Sequence, residues 1–168
     1  GIVLSYIWLM IFNAILQNFS KTIVSTQWSA FWGLIIVVCW QQIGYMMIIY
    51  IAGIQNIPGE LIEAAKIDGA NPLQLLKNVT LPLLMPTITI CSFLTLTNGF
   101  KLFDQNLALT GGNPGKMSEL LALNIYETMY GITGWQGVGQ AKAVIFFILV
   151  GVIAIVQNKL TTSKEVQD

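Results

Sequence analysis

Ile57-Pro58-Gly59-Glu60-Leu61-Ile62-Glu63-Ala64-Ala65-Lys66-Ile67-Asp68-Gly69-Ala70-Asn71-Pro72, continuing to Val79-Thr80-Leu81-Pro82, is a polar island between two apolar runs of membrane length. Its charges, Glu60, Glu63, Lys66, Asp68 and Lys77, have no place in hydrocarbon. The island is nevertheless patterned as two short helices joined by a turn. Pro58 suits the first helical position, where its missing N–H costs nothing, and Glu60 and Glu63 fall in early turns where the helix dipole favours negative charge. Leu61, Ala64 and Ala65 share one face at three- and four-residue spacing, and the alanines keep that face low enough for a partner to approach closely. Gly69 stands where a left-handed residue stops a helix. Asn71 caps and Pro72 starts a second helix, expected over residues 73–79. Leu81-Pro82, with Pro86 four residues on, leads into the next apolar run with its first turns bent. The island reads as a surface for docking. A DNA-binding helix-turn-helix would need basic residues on the second helix, where Lys77 stands alone.

Outside the island the chain is apolar. Of its 168 residues 55% are hydrophobic and 10% charged, and the mean hydropathy is +0.69, against roughly 25% charged residues in an average soluble domain. These values describe a membrane protein. The net charge is zero, there is no arginine or histidine, and the eight lysines are scattered, so no basic stripe exists to neutralise nucleic-acid phosphates. Cys39 and Cys91 fall in separate apolar runs without a second thiol or a histidine nearby, so each is expected to be buried packing, with no metal site.

About 20 apolar helical residues cross about 30 Å of hydrocarbon. Spans are expected at residues 1–12, 30–53, 83–103 and 138–156 of a single transmembrane domain, with loops at 54–82 and 104–137. The chain opens on apolar residues without an initiator Met, a basic region or a cleavage site, and the expectation is a fragment whose first spans are missing. The connection 13–29 is polar and ends at Trp28, Phe31 and Trp32, read as an interfacial belt. Lys66, Lys77, Lys159 and Lys164 share one side of the membrane in this arrangement and Lys21, Lys101 and Lys116 the other, with Lys142 at a boundary. The tail after Leu160 has too little apolar surface to fold and is expected to fray.

Polar groups inside the spans need partners. Gln41 and Gln42, beside Trp40 and Tyr45, either bond neighbouring helices or line a pathway. Asn98, Lys101 and Asp104 gather toward the end of the next span, where an ionisable pair marks a substrate or ion route; the alternative is that Lys101 and Asp104, three apart on a helix, simply pair with each other.

At this point the island resembles a known family. Glu63-Ala64-Ala65, Gly69 and Val79-x-Leu81-Pro82 look like the EAA loop of the inner-membrane permease subunits of type I ATP-binding-cassette importers. Ile57-Pro58-x-Glu60-Leu61 and Ile67-Asp68-Gly69-Ala70 are similar to the carbohydrate-uptake branch. Downstream, Phe103-Asp104, Leu109-Thr110-Gly111-Gly112-Asn113-Pro114, Tyr126 and Gly139-x-Ala141-x-Ala143 fall where that branch carries matching positions. The resemblance covers most of the chain. It departs at Val79, which replaces the usual Ile, at Asn113, which replaces a third glycine and is expected to keep the turn because Asn tolerates positive φ, and at Lys142, in a slot usually small or polar.

The resemblance implies an all-α membrane protein, a helical-bundle permease that pairs with a second permease subunit in a multi-pass bacterial or archaeal cell membrane. It implies that Glu60, Glu63, Ala64, Ala65, Asp68, Gly69, Ala70, Leu81 and Pro82 form the coupling element that docks on a cytoplasmic ATPase dimer. An extracellular solute-binding protein would deliver the solute, a sugar or oligosaccharide or, alternatively, a compound such as glycerol 3-phosphate. Sugars are held by amides, carboxylates and aromatic faces, and Trp40, Gln41, Gln42, Tyr45, Asn98, Lys101, Phe103 and Asp104 supply that mixture. No Walker loop or metal cluster appears, so ATP and Mg are expected on the partner ATPase and the chain is not expected to be an enzyme. An ion-coupled transporter would show an acid in mid-span, and none lies there; a Ser-His or Cys-His nucleophile is impossible without histidine.

Overall fold

The computed structural model describes residues 1–163. Among the described residues there are eight α-helices: α1 (Ile2–Leu16), α2 (Gln27–Gln55), α3 (Gly59–Ile67), α4 (Pro72–Leu75), α5 (Leu81–Phe100), α6 (Asp104–Leu109), α7 (Leu121–Tyr126) and α8 (Gln136–Thr162). No strand occurs among the described residues. Four helical stretches are long and apolar enough to cross a membrane: Ile2–Phe19, Gln27–Gln55, Pro72–Phe100 and Gln136–Thr162. The longest, of 29 residues, rise about 43 Å at about 1.5 Å per residue, so their ends emerge from about 30 Å of hydrocarbon. Large apolar side chains therefore stay exposed all along them, such as Ile48 on α2, Ile90 on α5 and Phe147 on α8.

The described residues divide into two compact units, 1–42 with 98–150 and 43–97 with 151–163. In the first unit α1 packs on α6, and Leu34, Val37 and Leu109 form the core with Trp8, Leu9 and Phe12 against it. The α1–α2 connection is more ordered than its polar composition suggests. Asn13 Oδ1 accepts the Ile23 amide at 3.0 Å, and Thr26 and Ser29 each accept the other's amide, at 3.1 and 3.2 Å, a reciprocal box that starts α2 earlier than expected. Trp28, Phe31 and Trp32 make successive edge contacts, with ring centroids 6.4 and 5.8 Å apart.

In the second unit α2 and α5 approach closely where Gly53 faces Thr87: a Cβ on Gly53 would lie 2.8 Å from Thr87 Cγ2. The polar island follows its expected plan at most points. Glu60 lies in the first turn of α3, Gly69 takes φ +80°, and Asn71 and Gln74 form a reciprocal capping box at α4 with both bonds at 2.9 Å.

Several expectations are corrected. Pro58 is the N-cap of α3, with ψ 126°, and not its first helical residue. The second short helix does not end at Val79: α4 passes through a π turn, Leu76–Thr80, straight into α5. The Leu81 amide reaches back five residues to the Leu76 carbonyl, and this wider ring makes room where the Pro82 pyrrolidine would otherwise meet the carbonyl four residues earlier. Cys91 is buried as expected, but Cys39 is exposed on α2. In the tail Thr161 and Thr162 are still helical, and the reading of a frayed end from residue 164 on lies outside the described residues.

Candidate functional site

Two features carry the candidate chemistry, one in each unit. In the second unit α3 has no buried residue. Glu60, Glu63, Ala64, Asp68 and Gly69 are exposed, Ala65 and Ala70 half-buried, and Ile67 is 86% exposed. The Asp68 amide donates to Ala64 O and the Ala70 amide to Ala65 O, both at 3.0 Å, so the helix is closed by its own carbonyls around the left-handed glycine. Space around Gly69 is open; the glycine answers a backbone requirement. Ile57, buried, anchors the entry to α3. Leu81 and Pro82 open α5.

In the first unit a polar cavity of about 330 Å³ is lined by Gln41, Gln42, Asn98, Lys101, Asp104 and Gln105. Five of the eight residues read as a pathway thus meet. Gln105 Nε2 donates to Gln41 Oε1 at 2.9 Å, which orients one amide and leaves its NH₂ free for a ligand. The remaining lining offers neutral amides, one ammonium and one carboxylate, a set that bonds hydroxyl groups as donor and as acceptor. Lys101 and Asp104 do not share a helix: α5 ends at Phe100 and α6 begins at Asp104. Among the described residues the only ion pair is Lys116–Glu127, so Lys101 and Asp104 are not paired with each other, and Asp104 packs against Gly1, which also lines the cavity.

Three expected pathway residues lie elsewhere. Trp40 makes an edge contact with Trp8, ring centroids 5.7 Å apart. Tyr45 is exposed in the second unit. Phe103 makes an edge contact with Tyr126, ring centroids 5.0 Å apart, and Tyr126 a tilted contact with Tyr130 at 5.1 Å. Val38, Leu102 and Gln105 also line the cavity; Val38 and Leu102 carry no polar signal, and Gln105 falls past the expected end of the span at residue 103.

Sequence reading also missed the group that organises residues 104–120. Asn106 is fully buried. Its Nδ2 donates to Thr110 Oγ1 at 2.9 Å and to the Ser118 carbonyl at 2.8 Å, and its Oδ1 accepts the Leu120 amide at 2.8 Å. Ser118 Oγ donates to the Asn113 carbonyl at 2.6 Å, and the Ser118 amide to the Gly112 carbonyl at 3.2 Å. Gly111, Gly112, Gly115 and Lys116 take positive φ in this loop but Asn113 does not, which corrects the expectation that Asn113 substitutes for a left-handed glycine. The Asn106 knot holds α6, and with it Asp104 and Gln105, against the loop. Lys116 donates to Glu127, and this bond, helped by the nearby Glu119 charge, holds its ammonium above the usual lysine range. No group of three or more metal-ligating side chains occurs among the described residues.

The family model described as "binding-protein-dependent transport system inner membrane component" matches residues 2–163. The chain is 48% identical over 175 residues, 99% of its length, to the probable starch degradation products transport system permease protein of Thermoanaerobacterium thermosulfurigenes, of which it covers 60%. It is 38% identical over 79% of its length to the multiple sugar-binding transport system permease protein of Streptococcus mutans, covering 45% of it. It is 36% identical over 89% of its length to the trehalose/maltose transport system permease protein of Thermococcus litoralis, covering 51% of it. The chain thus spans about half the length of these relatives. It is a multi-pass membrane protein, and it belongs to the family of binding-protein-dependent transport system inner membrane components.

Proposed function

We propose that this chain is part of a permease subunit of an ATP-driven importer that takes up a sugar or oligosaccharide, coupled to a cytoplasmic ATPase through residues 57–82. The observation that carries the reading is the form of α3: an exposed helix bearing Glu63-Ala64-Ala65, stopped at a left-handed Gly69, and followed by a capped helix continuous with α5. A surface of that kind can receive a push and pass it along α5 as a lever. The ATPase dimer binds ATP and Mg, a solute-binding protein delivers the solute, and a second permease subunit completes the pathway. The two-state rocking that alternating access requires then follows from differential contacts at the docking helix.

The cavity of Gln41, Gln42, Asn98, Lys101 and Asp104 is the proposed solute contact in this chain. Its volume, about 330 Å³, falls at the small end of the roughly 300–1,000 Å³ of ligand pockets. Paired amides and a balanced ion set suit an uncharged polyol. Sugar names among the relatives support the same class. Uptake of labelled sugar by the reconstituted importer tests it: Gln41→Ala and Asn98→Ala should each raise the concentration for half-maximal uptake. Unchanged uptake in both removes the cavity from the pathway.

A further inference from the structure

The lysine that departs from the family pattern belongs to neither feature. Lys142 lies six residues into α8, about 9 Å along the helix from its start, and is half-buried. Its ammonium donates to Asn124 Oδ1 and to Thr128 Oγ1, both at 2.8 Å. Thr128 Oγ1 in turn donates to the Asn124 carbonyl at 2.7 Å. Thr128 stands in the second π turn, Glu127–Gly131, and π turns recur at functional sites. Gly139, one turn before Lys142, is buried where a Cβ would lie 3.1 Å from Met129 Cα. That close approach of α8 to the π turn sets the lysine among its partners.

Asn124 Oδ1 and Thr128 Oγ1 each accept one bond from the ammonium, and the Thr128 proton is given to the backbone. What remains is the third N–H of Lys142 and the Asn124 Nδ2 group, which makes no hydrogen bond among the described residues. Two neutral oxygens solvate a cation without neutralising it. Glu127, next to Thr128, is engaged with Lys116, and no other carboxylate pairs with Lys142 among the described residues. Free donors beside an ammonium with no carboxylate partner select an anion.

The depth selects which anion. Helical side chains lean toward the helix N-terminus, so Lys142 reaches back toward the α8 start, where Trp135 is exposed, and Tyr126 and Tyr130 stand exposed on the neighbouring turn. Trp and Tyr at such a level mark the lipid headgroups, and a lysine near a helix end extends to that level. We propose that Lys142, Asn124 and Thr128 form a phosphate site filled by the headgroup of an anionic phospholipid. The lipid neutralises the ammonium and fastens the π turn to α8.

The test uses the complete transporter, assembled and purified in mixed phosphatidylglycerol and phosphatidylcholine, with retained lipid counted by native mass spectrometry. Wild type and Lys142→Arg should keep phosphatidylglycerol in preference to phosphatidylcholine, and Lys142→Gln, which keeps size and hydrogen bonding but loses the charge, should lower that preference about tenfold. Equal preference in all three overturns the proposal. Should Lys142→Gln not assemble, Asn124→Leu is counted instead, and undiminished retention overturns the proposal equally. A second arm adds free glycerol 3-phosphate to lipid-loaded wild type. Displacement of phosphatidylglycerol at low millimolar concentration would make the site one for a soluble phosphate and refute the lipid assignment; resistance to displacement supports it.

Discussion

Replacing Asn106 by Ala removes three hydrogen bonds, at 2.9, 2.8 and 2.8 Å, from a residue without solvent exposure. The Leu120 amide and the Ser118 carbonyl lose the side-chain partner they have here, and Thr110 Oγ1 loses a donor. Leaving a buried polar group unpaired costs about 1–3 kcal/mol. Two such backbone groups therefore cost about 2–6 kcal/mol, with a central value of about 4. Because the loop opens locally before the spans do, the loss belongs to residues 104–120, and the exchange rate of the Leu120 amide reports it. About 4 kcal/mol corresponds to roughly a thousandfold faster exchange, at about 1.4 kcal/mol per tenfold. Hydrogen-exchange mass spectrometry on the assembled permease is the assay, with peptides from α2 as an internal reference. Asn106→Asp keeps the acceptor for Leu120 but buries a charge without its donor bonds, so it should not restore protection. Exchange at Leu120 within tenfold of wild type in Asn106→Ala would refute the idea that this side chain organises the loop.

Other perturbations follow from the same geometry. Gly69→Ala meets no neighbouring atom but must hold φ +80°, at a cost of about 1–2 kcal/mol; Gly69→Asn should cost less, and exchange of the α3 amides separates the two. Gly53→Val drives a side chain into Thr87 and should destabilise by about 1–3 kcal/mol, with Thr87→Ala recovering part of the loss in a double-mutant cycle of thermal melts; additive losses would deny the contact. The Lys116–Glu127 bond raises the lysine pKa above 10.5, so its contribution is complete below that pH and disappears as pH climbs through the raised value. Loop exchange followed between pH 9 and 12 should show this loss in wild type and not in Lys116→Met, and a loss already complete at pH 9 would contradict the assignment.

What could be read from the residues alone was local. A left-handed stop at Gly69, a cap at Asn71 and an acidic first turn on α3 each depend on a few neighbouring atoms, and the apolar runs depend only on length. The continuity of α4 with α5 was not legible, because Pro82 reads as an interruption and only the π turn shows how its missing amide is accommodated. Gln41, Gln42, Asn98, Lys101 and Asp104 were found as polar residues in apolar surroundings. Trp40, Tyr45 and Phe103 came in by proximity in sequence; none of them lines the cavity, and Phe103, between α5 and α6, packs against Tyr126. Asn106 carried no signal at all: a buried asparagine on a short helix is recognised by its partners, twelve and fourteen residues away.

The central claim is that residues 57–82 transmit ATP hydrolysis to the spans. Uptake and solute-stimulated ATPase activity, measured in the complete reconstituted importer at matched assembly for wild type, Glu63→Lys and Gly69→Pro, test it directly. Proline cannot adopt the φ of +80° found at Gly69, and lysine reverses the charge of an exposed residue on α3. The account predicts that both variants lose uptake together with stimulated hydrolysis. Wild-type uptake and stimulation in both variants would contradict it.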